Sequence, residues 1–136
     1  MAETLKLEII TPESVIYSEE VDMVTLPGSE GEAGIYPNHV PLMTKVQAGE
    51  LIAKKASSIE ILAVGEGFAE ITGDRVSILT DNASNSTDID EVAAEEARTK
   101  AEKRLKEGDI SEDEAKALNQ AMLYSAAQIK AKRHRR

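Results

Sequence analysis

Apolar and polar residues alternate through the first part of the chain, up to about residue 82. A period of two is typical of short β-strands that each bury one face. The apolar positions form four sets: Leu5, Leu7 and Ile9; Val21, Met23 and, more weakly, Thr25; Ile59, Ile61 and Ala63; Val76 and Ile78. Many short strands broken by glycine and proline predict a two-sheet β-sandwich. Because the chain has one Phe and no Trp, the core should be aliphatic.

Two dipeptides predict turns between these strands. Gly73-Asp74 separates two apolar runs by two residues, which is typical of a tight β-hairpin. Gly49-Glu50 indicates a second turn.

After Asn85 the apolar residues recur every three or four positions, which predicts a helix. Thr87 or Asp88 is its expected N-cap, with Asp90 or Glu91 as the partner in a capping box. The positions expected on its inner face are Ile89, Val92, Ala93, Ala97, Ala101 and Leu105. Gly108 is expected to end the helix.

A second helix is predicted from Ser111, which forms a capping-box pattern with Glu114. Its expected inner face consists of Ala115, Leu118, Met122, Ser125 and Ile129. Since the connection around Gly108 is short, the two helices should form an antiparallel hairpin. The sequence thus predicts a mainly β fold with added α structure: a sandwich in residues 1–86 and a helical hairpin in residues 87–136.

Charge is distributed unevenly along the chain, whose net charge is −9. Residues 1–87 contain 14 acidic and 5 basic residues, a net charge of −9. Residues 88–114 contain 11 acidic and 5 basic residues, a net charge of −6, and residues 115–136 contain 6 basic residues and no acidic ones. A polyanion normally binds a basic surface, so this balance argues against nucleic acid as the main partner.

The predicted hairpin combines a weak apolar seam with opposite charges at its open end. An alanine seam buries little area, and each buried methylene contributes only about 0.8 kcal/mol. In an antiparallel pair, the acids at the start of the first helix lie beside the bases at the end of the second. Exposed ion pairs add about 0 to 1 kcal/mol each. The folded-back hairpin is therefore expected to be favoured but able to open.

Catalytic and metal-binding patterns are weak. The chain has no cysteine, and its two histidines, His39 and His134, lie in separate regions. No serine has a plausible His and Asp arrangement, so we predict no catalytic residue and no metal site. The longest apolar runs are a few residues, far below the roughly 20 needed to span a bilayer. The start, MAETLKLEII, enters a strand pattern at once, which favours a bacterial cytoplasmic protein.

Residues 26–49 hold the most specific pattern of the chain. Gly28, Gly31 and Gly34 recur every third residue, and Pro37 and Pro41 fix the backbone on either side of a short polar segment. A loop stiffened in this way holds polar side chains against a partner at little entropic cost. The polar tips are Glu30, Glu32, Asn38 and His39. This pattern indicates docking rather than catalysis.

The same segment carries a family resemblance. PGSEGEAGIYPNHVPLMT resembles GSEGELGIYPxHxPLLT, a signature of the epsilon subunit of bacterial F-type ATP synthases, and VGEGFAEITGDRVSILTDNA resembles the family's second signature. The resemblance covers nearly the whole chain, including a terminal helical hairpin. One departure is Glu66, where the family usually has a second glycine.

The resemblance implies a noncatalytic rotor subunit in the central stalk. Its expected partners are the gamma subunit and the membrane rotor ring, with Glu32 and His39 facing the ring. Its helices would extend toward the catalytic head and restrain ATP hydrolysis, and a basic tail would contact acidic loops of the catalytic subunits. That tail is Lys130, Lys132, Arg133, Arg135 and Arg136. The expected location is the cytoplasmic face of the bacterial inner membrane, peripheral and without direct membrane insertion.

Two alternatives concern the C-terminal region. Some family members bind ATP through an I-D-x-x-R-A motif; here Ile89 and Asp90 are present, but Ala93 stands where the arginine would be. Arg98 and Lys100 are the possible substitutes, which makes a nucleotide-sensing module the second interpretation. Read from the residues alone, the basic tail is equally well a solvated terminus. We expect no bound cofactor, because nearby acids would repel phosphates.

Overall fold

The computed structural model describes residues 3–28 and 31–135, the last without its side chain. In these residues ten strands precede a 3-10 turn and two helices. The elements are β1 (Leu5–Ile10), β2 (Val15–Val21), β3 (Met23–Gly28), β4 (Gly31–Ile35), β5 (Leu42–Val46), β6 (Gly49–Lys55), β7 (Ser58–Val64), β8 (Gly67–Thr72), β9 (Arg75–Thr80), β10 (Ala83–Asn85), the 3-10 turn (Ser86–Asp88), α1 (Glu91–Glu107) and α2 (Glu112–Arg135).

The strands form two five-stranded sheets that pack face to face. Sheet I has the order β2-β1-β9-β8-β5, and sheet II has the order β10-β7-β6-β3-β4. The pairings are antiparallel except that of β1 with β9, which is parallel. The predicted class, a two-sheet sandwich followed by an antiparallel helical hairpin, is confirmed.

Aliphatic side chains fill the space between the sheets, as predicted. The alternation of Leu5, Leu7 and Ile9 is confirmed, since all three are buried. Full burial of such a side chain contributes about 1.5 to 3 kcal/mol. The core consists of Leu5, Leu7, Ile9, Tyr17, Val21, Val24, Leu26, Ile35, Val46, Leu51, Ala53, Leu62, Val64, Ala69, Ile71, Val76 and Ile78.

The predicted alternation differs from the structure at the junction of β2 and β3. Asp22 separates β2 from β3, so the buried positions after Val21 are Val24 and Leu26 rather than Met23 and Thr25. The chain crosses from sheet I to sheet II at Asp22, and because the inner faces of the two sheets point in opposite directions, the buried positions shift by one residue.

Strand β7 is buried on both faces, which the alternating pattern did not predict. Leu62 and Val64 enter the sandwich core, whereas Ile61 and Ala63 lie under α2 in a second apolar cluster. Ile59, the remaining member of the predicted set, is 54% exposed. The predicted set was therefore the helix-facing side of the strand.

One predicted turn is confirmed and one is wrong. Gly73-Asp74 joins β8 and β9 as a two-residue hairpin, with Thr72 paired to Arg75. Gly49 and Glu50 instead begin β6, and the chain bends just before them, where it crosses from sheet I to sheet II. A Cβ atom on Gly49 would lie 2.9 Å from the Cβ of Pro27, so a larger residue does not fit there.

The first helix starts later than predicted. Asp90 is its N-cap, and the Asp90 Oδ1 accepts a hydrogen bond of 3.1 Å from the Ala93 amide. The residues predicted as caps, Thr87 and Asp88, belong to the 3-10 turn, which Asn85 caps. Asp88 cannot cap α1 because two further residues separate it from the helix.

The inner face of α1 is also only partly as predicted. Ile89 and Ala101 are buried, but Val92 is 67% exposed and Ala94 is buried in place of Ala93. Alanine is too small to mark which face of a helix is buried, so its spacing in this sequence carries little information.

The predicted end of α1 and the predicted start of α2 are confirmed. Gly108, with φ of +71°, ends α1, and the Ser111 hydroxyl accepts a 3.1 Å hydrogen bond from the Glu114 amide at the start of α2. On α2, Ser125 and Ile129 are buried as expected.

Candidate functional site

Helix α2 lies across the outer face of sheet II and connects the hairpin to the sandwich. It contacts β6, β7 and the 3-10 turn, while α1 packs mainly against α2. The apolar part of this interface consists of Ile61, Ala63, Ile89, Ala127 and Ala131, with Ile52 and Tyr124 at its margin. The two α2 residues at the buried centre of this interface, Ala127 and Ala131, are both alanines, so the apolar contact between α2 and sheet II is small.

Polar contacts supplement this small apolar interface near its middle. The Tyr124 hydroxyl lies 2.8 Å from the Ser84 hydroxyl, and the Gln128 amide donates a 3.2 Å hydrogen bond to the same Ser84 oxygen. Burial raises the pKa of the Tyr124 phenol, against the opposite effect of its hydrogen bonds to Ser84 and Gln128. These three side chains fix the position of α2 over β10.

A further polar contact involves the residue that departs from the family signature. The Gln120 amide donates a 2.8 Å hydrogen bond to the carboxylate of Glu66, in the turn between β7 and β8. A glycine at position 66 has no side chain to accept this bond. The substitution therefore adds a link between the sandwich and the first half of α2.

The basic end of α2 contacts acidic residues of α1 and the backbone of the 3-10 turn. Arg133 contacts Glu91 at 2.9 Å and Glu95 at 3.3 Å, both on α1. This pairing of opposite charges across the hairpin was predicted from the sequence. Lys132 donates a 3.3 Å hydrogen bond to the Ser86 carbonyl oxygen.

Glu50 is the residue that sequence reasoning missed. It lies on β6 beneath α2, with a side chain 10% exposed, and contacts His134 at 2.8 Å and Lys130 at 3.6 Å. Since a glutamate after a glycine resembles an ordinary turn residue, no local signal distinguished it. Its position depends on how α2 crosses the sheet.

The side chains of two residues of the predicted tail are not described. Arg136 lies outside the described residues, and the side chain of Arg135 is not described. The described tail cations, Lys130, Lys132 and Arg133, all have partners within the chain.

Of the two predicted rotor-ring residues, Glu32 lies near the start of β4 and His39 lies beyond its end. Glu32 is exposed on this edge strand and lines a groove of about 680 Å³ that Lys130 and Arg133 also line. His39 follows β4 in the loop that leads to β5, and its Nδ1 lies 2.7 Å from the Val40 carbonyl oxygen. The structure therefore does not bring Glu32 and His39 together.

The loop around His39 is held in place by its neighbour. Asn38 has a φ of +66°, and its amide donates a 2.6 Å hydrogen bond to the Gly73 carbonyl oxygen. The Asn38 side chain also donates to Glu3. These bonds tie the loop to the β8–β9 turn and the start of the chain. Glu30, another predicted polar tip, lies outside the described residues.

The possible ATP-binding residues do not converge on one point. Ile89 is buried in the interface with α2, and Asp90 serves as the N-cap of α1. Arg98 contacts Glu95 at 2.9 Å, while Lys100 is exposed. Because successive helical residues are about 100° apart, Arg98 and Lys100 point to nearly opposite sides of α1.

The described residues contain neither a membrane-spanning helix nor a cluster of metal-binding side chains. Neither helix in this part of the chain combines the length and the apolarity needed to cross a bilayer. Across residues 3–28 and 31–135, His, Asp and Glu side chains form no cluster of three or more that would hold a metal ion.

Comparison with known proteins identifies the family. The family described as "ATP synthase, Delta/Epsilon chain, beta-sandwich domain" matches residues 4–86. The ATP synthase epsilon chain of Syntrophobacter fumaroxidans is 44% identical over 107 residues, which cover 79% of this chain and 80% of that relative. That of Dehalococcoides mccartyi strain BAV1 is 41% identical over 134 residues, which cover 96% of both chains.

Solved structures share the fold at lower identity. A chain in the structure of the Euglena gracilis mitochondrial ATP synthase (OSCP/F1/c-ring, rotational state 1) matches with a TM-score of 0.75 and 20% identity, covering 94% of this chain and 81% of that one. A chain of the Tetrahymena thermophila mitochondrial ATP synthase central stalk and c-ring matches with a TM-score of 0.58 and 13% identity, covering 94% and 96%. The resemblance found in the sequence is confirmed, and the chain belongs to the epsilon-chain family of ATP synthases.

Proposed function

We propose that this protein is a noncatalytic central-stalk subunit of an F-type ATP synthase, coupling the catalytic head to the membrane rotor ring and restraining ATP hydrolysis through its C-terminal helices. Family membership supports the first part. The observation that carries the second part is the basic end of α2, which is held to the rest of the chain by a few ion pairs and a small apolar contact.

The gamma subunit is our proposed partner for the outer face of sheet I. The hairpin covers the outer face of sheet II, but on sheet I Met43, Phe68 and Leu79 are 63%, 49% and 48% exposed. Phe68 and Leu79 are paired across β8 and β9, so they form a continuous apolar surface. Such a surface suits burial against another subunit.

The rotor ring is the proposed partner for the edge formed by β4 and the loop after it. Glu32 and His39 lie at the two ends of this edge, so a ring contact that uses both would extend along β4. Through these contacts the protein would be a peripheral part of the complex, on the cytoplasmic face of the bacterial membrane.

Restraint of hydrolysis would depend on competition for the tail cations. When α2 is docked, Lys130 and Arg133 are occupied by Glu50, Glu91 and Glu95. When α2 separates from both β6 and α1, the same cations are free to contact acidic loops of the catalytic subunits. Each acidic surface then lowers the population of the state bound to the other.

Neutralising the tail in the assembled enzyme tests this proposal. Replacing Lys130, Lys132 and Arg133 with Ser should raise ATP hydrolysis, and ending the chain at Ile129 should have the same effect. The matched control replaces Lys103, Lys106 and Lys116 with Ser, which removes as many cations from exposed positions elsewhere on the hairpin. Equal hydrolysis rates for the tail variant, the control and the unaltered chain would contradict the regulatory part of the proposal.

The coupling part has a separate test. Replacing Glu32 and His39 with Ala should reduce ATP-driven proton pumping in the reconstituted complex without a loss of assembly. Glu13→Ala, which removes an exposed carboxylate from the loop between β1 and β2, is the control. Unchanged pumping in the Glu32 and His39 double variant would exclude the proposed ring contact.

A further inference from the structure

Three apolar side chains and one lysine form a row across the outer face of sheet I. The strand register places Ile10 of β1 beside Leu79 of β9, and Leu79 beside Phe68 of β8. Lys45 of β5 follows Phe68 at the end of the row. Since neighbouring strands lie about 4.8 Å apart, the row is roughly 14 Å long. It is part of the surface proposed for the gamma subunit.

This row lines a cavity of about 450 Å³. Phe68 and Leu79 are half exposed and give the cavity an apolar floor, and Pro12 lines it from the β1–β2 loop. Glu66 and Asp81 line it just before β8 begins and just after β9 ends. The cavity therefore combines an apolar floor with two carboxylates at the strand ends.

Contacts between the strand ends hold the two acids in place. The Thr80 hydroxyl donates a 3.1 Å hydrogen bond to the Glu66 carbonyl oxygen, which joins the residue before β8 to the end of β9 beside Asp81. A Cβ atom on Gly67 would collide with the Leu79 carbonyl oxygen, so the two strands approach closely here. A surface that is ordered before it binds loses little entropy when a partner arrives.

The carboxylates of this cavity face solvent. Asp81 is exposed, and the ion pairs formed within residues 3–28 and 31–135 do not involve it. Glu66 is also exposed, and the Gln120 amide orients its carboxylate by donating to Oε2. Glu70, two residues after Phe68 on β8, adds a third exposed acid to the same face. Acids beside an apolar surface favour a partner with cations beside its own apolar side chains.

We propose that this cavity is the central contact for the gamma subunit and that it receives an apolar segment flanked by arginine or lysine. The apolar side chains pack on Phe68 and Leu79, and the cation pairs with Asp81 and Glu66. This inference rests on the proposed function and specifies the chemistry of its gamma contact. Glu66 stands where the family signature usually has a glycine, so this part of the charge pattern belongs to this chain and not to the signature.

Binding of the full-length chain to the gamma subunit of the same enzyme tests the role of the acids. Calorimetry gives the dissociation constant at low and at high salt. The double variant Asp81→Asn and Glu66→Gln should raise it on the order of three- to tenfold at low salt, as expected for two exposed ion pairs. The difference should shrink at high salt, because salt screens exposed charges.

The control for the acids is the double variant Asp88→Asn and Glu96→Gln. It neutralises exposed acids of the 3-10 turn and α1 and should leave the dissociation constant unchanged.

The apolar floor has its own variants. Phe68→Ala and Leu79→Ala, each tested alone, should raise the dissociation constant on the order of 10- to 100-fold, as truncation at the centre of an interface does. Both side chains are half exposed on the outer face, so their removal leaves the core between the sheets intact. Ile59→Ala is the matched control, because Ile59 is equally exposed but lies on sheet II. It should have no effect.

The outcomes separate this inference from the proposed function. If the gamma subunit binds and the acid variants leave its dissociation constant unchanged, the inference is wrong although gamma stays a partner. The same holds if Phe68→Ala and Leu79→Ala act no more strongly than Ile59→Ala. If the unaltered chain does not bind gamma, both the inference and the proposed gamma contact fail. Self-association of the chain that Phe68→Ala abolishes, measured by sedimentation, would assign the cavity to a second copy and overturn the inference.

Discussion

The two faces of β7 are both buried, but they are buried against different kinds of surface. On one face Leu62 and Val64 are fully buried among Leu, Ile and Val side chains from both sheets. On the other face Ile61 and Ala63 meet mainly alanines of α2. One strand thus contributes to a large aliphatic core and to a small interface that, in our proposal, opens.

Substitution on the core face should have the larger effect. Leu62→Ala removes a fully buried side chain and leaves a cavity, at a cost of about 2 to 5 kcal/mol. The free energy of unfolding from urea titration, followed by circular dichroism, measures it. Because the sandwich and the docked hairpin both depend on this core, the signals for strands and helices should decrease together.

Substitution of Ile61, on the face of β7 that α2 covers, should destabilise docking of the hairpin more than it destabilises the sandwich. Ile61→Ala removes apolar contact with α2 and should weaken docking by about 1.5 to 3 kcal/mol. Energy transfer between dyes on the sandwich and α2 should report release of the hairpin at lower urea concentration.

Comparing Ile61→Ala with Leu62→Ala tests whether the two faces of β7 unfold independently. If Ile61→Ala lowered the unfolding midpoint of the strands as much as Leu62→Ala does, the two faces would belong to one cooperative unit. Separate transitions in the Ile61→Ala variant would establish that the hairpin can leave an intact sandwich.

A turn within the sandwich offers a stabilising change that should not affect docking. Ala56, between β6 and β7, has a φ of +50°, and its amide donates a 2.6 Å hydrogen bond to the Asp22 carboxylate. Since the left-handed conformation costs a non-glycine residue about 1 to 2 kcal/mol, Ala56→Gly should raise the free energy of unfolding by about 1 kcal/mol. An unchanged or lower unfolding free energy would contradict this expectation.

The smallest effect is expected at the charged end of the hairpin. Arg133→Gln removes the contacts with Glu91 and Glu95 and should weaken the pairing of α1 with α2 by less than about 1 kcal/mol. The difference between this variant and the unaltered chain should shrink as salt is added, because salt screens exposed charges. A difference that is independent of salt would show that Arg133 acts through packing instead.

The strands were predicted well where the signal is local. Leu5, Leu7 and Ile9 alternate without interruption, and Gly73-Asp74 joins two strands that pair with each other. The order of the sheets had no such signal, because it depends on pairings between distant segments. For the same reason the sequence did not reveal that α2 would cover the outer face of β7.

The contacts made by the basic end of α2 were predictable only where both residues of a pair lie within the helical hairpin. The pairing of Arg133 with the acids of α1 follows from antiparallel packing and opposite charge. Glu50 was missed because its contact with His134 joins a strand to the end of the chain, 84 residues later. The face of α1 was mispredicted since its alanines suit a buried and an exposed position alike.

The parallel pairing of β1 with β9 has a consequence for how the chain is synthesised. Lys6 lies beside Arg75, 69 residues later, so sheet I cannot be completed until most of the sandwich sequence has left the ribosome. The β1–β2 hairpin must wait with one apolar face uncovered during this interval. Helix α2 is made after all ten strands of the described residues, so we expect each new molecule to finish the surface that receives this helix before the helix itself emerges.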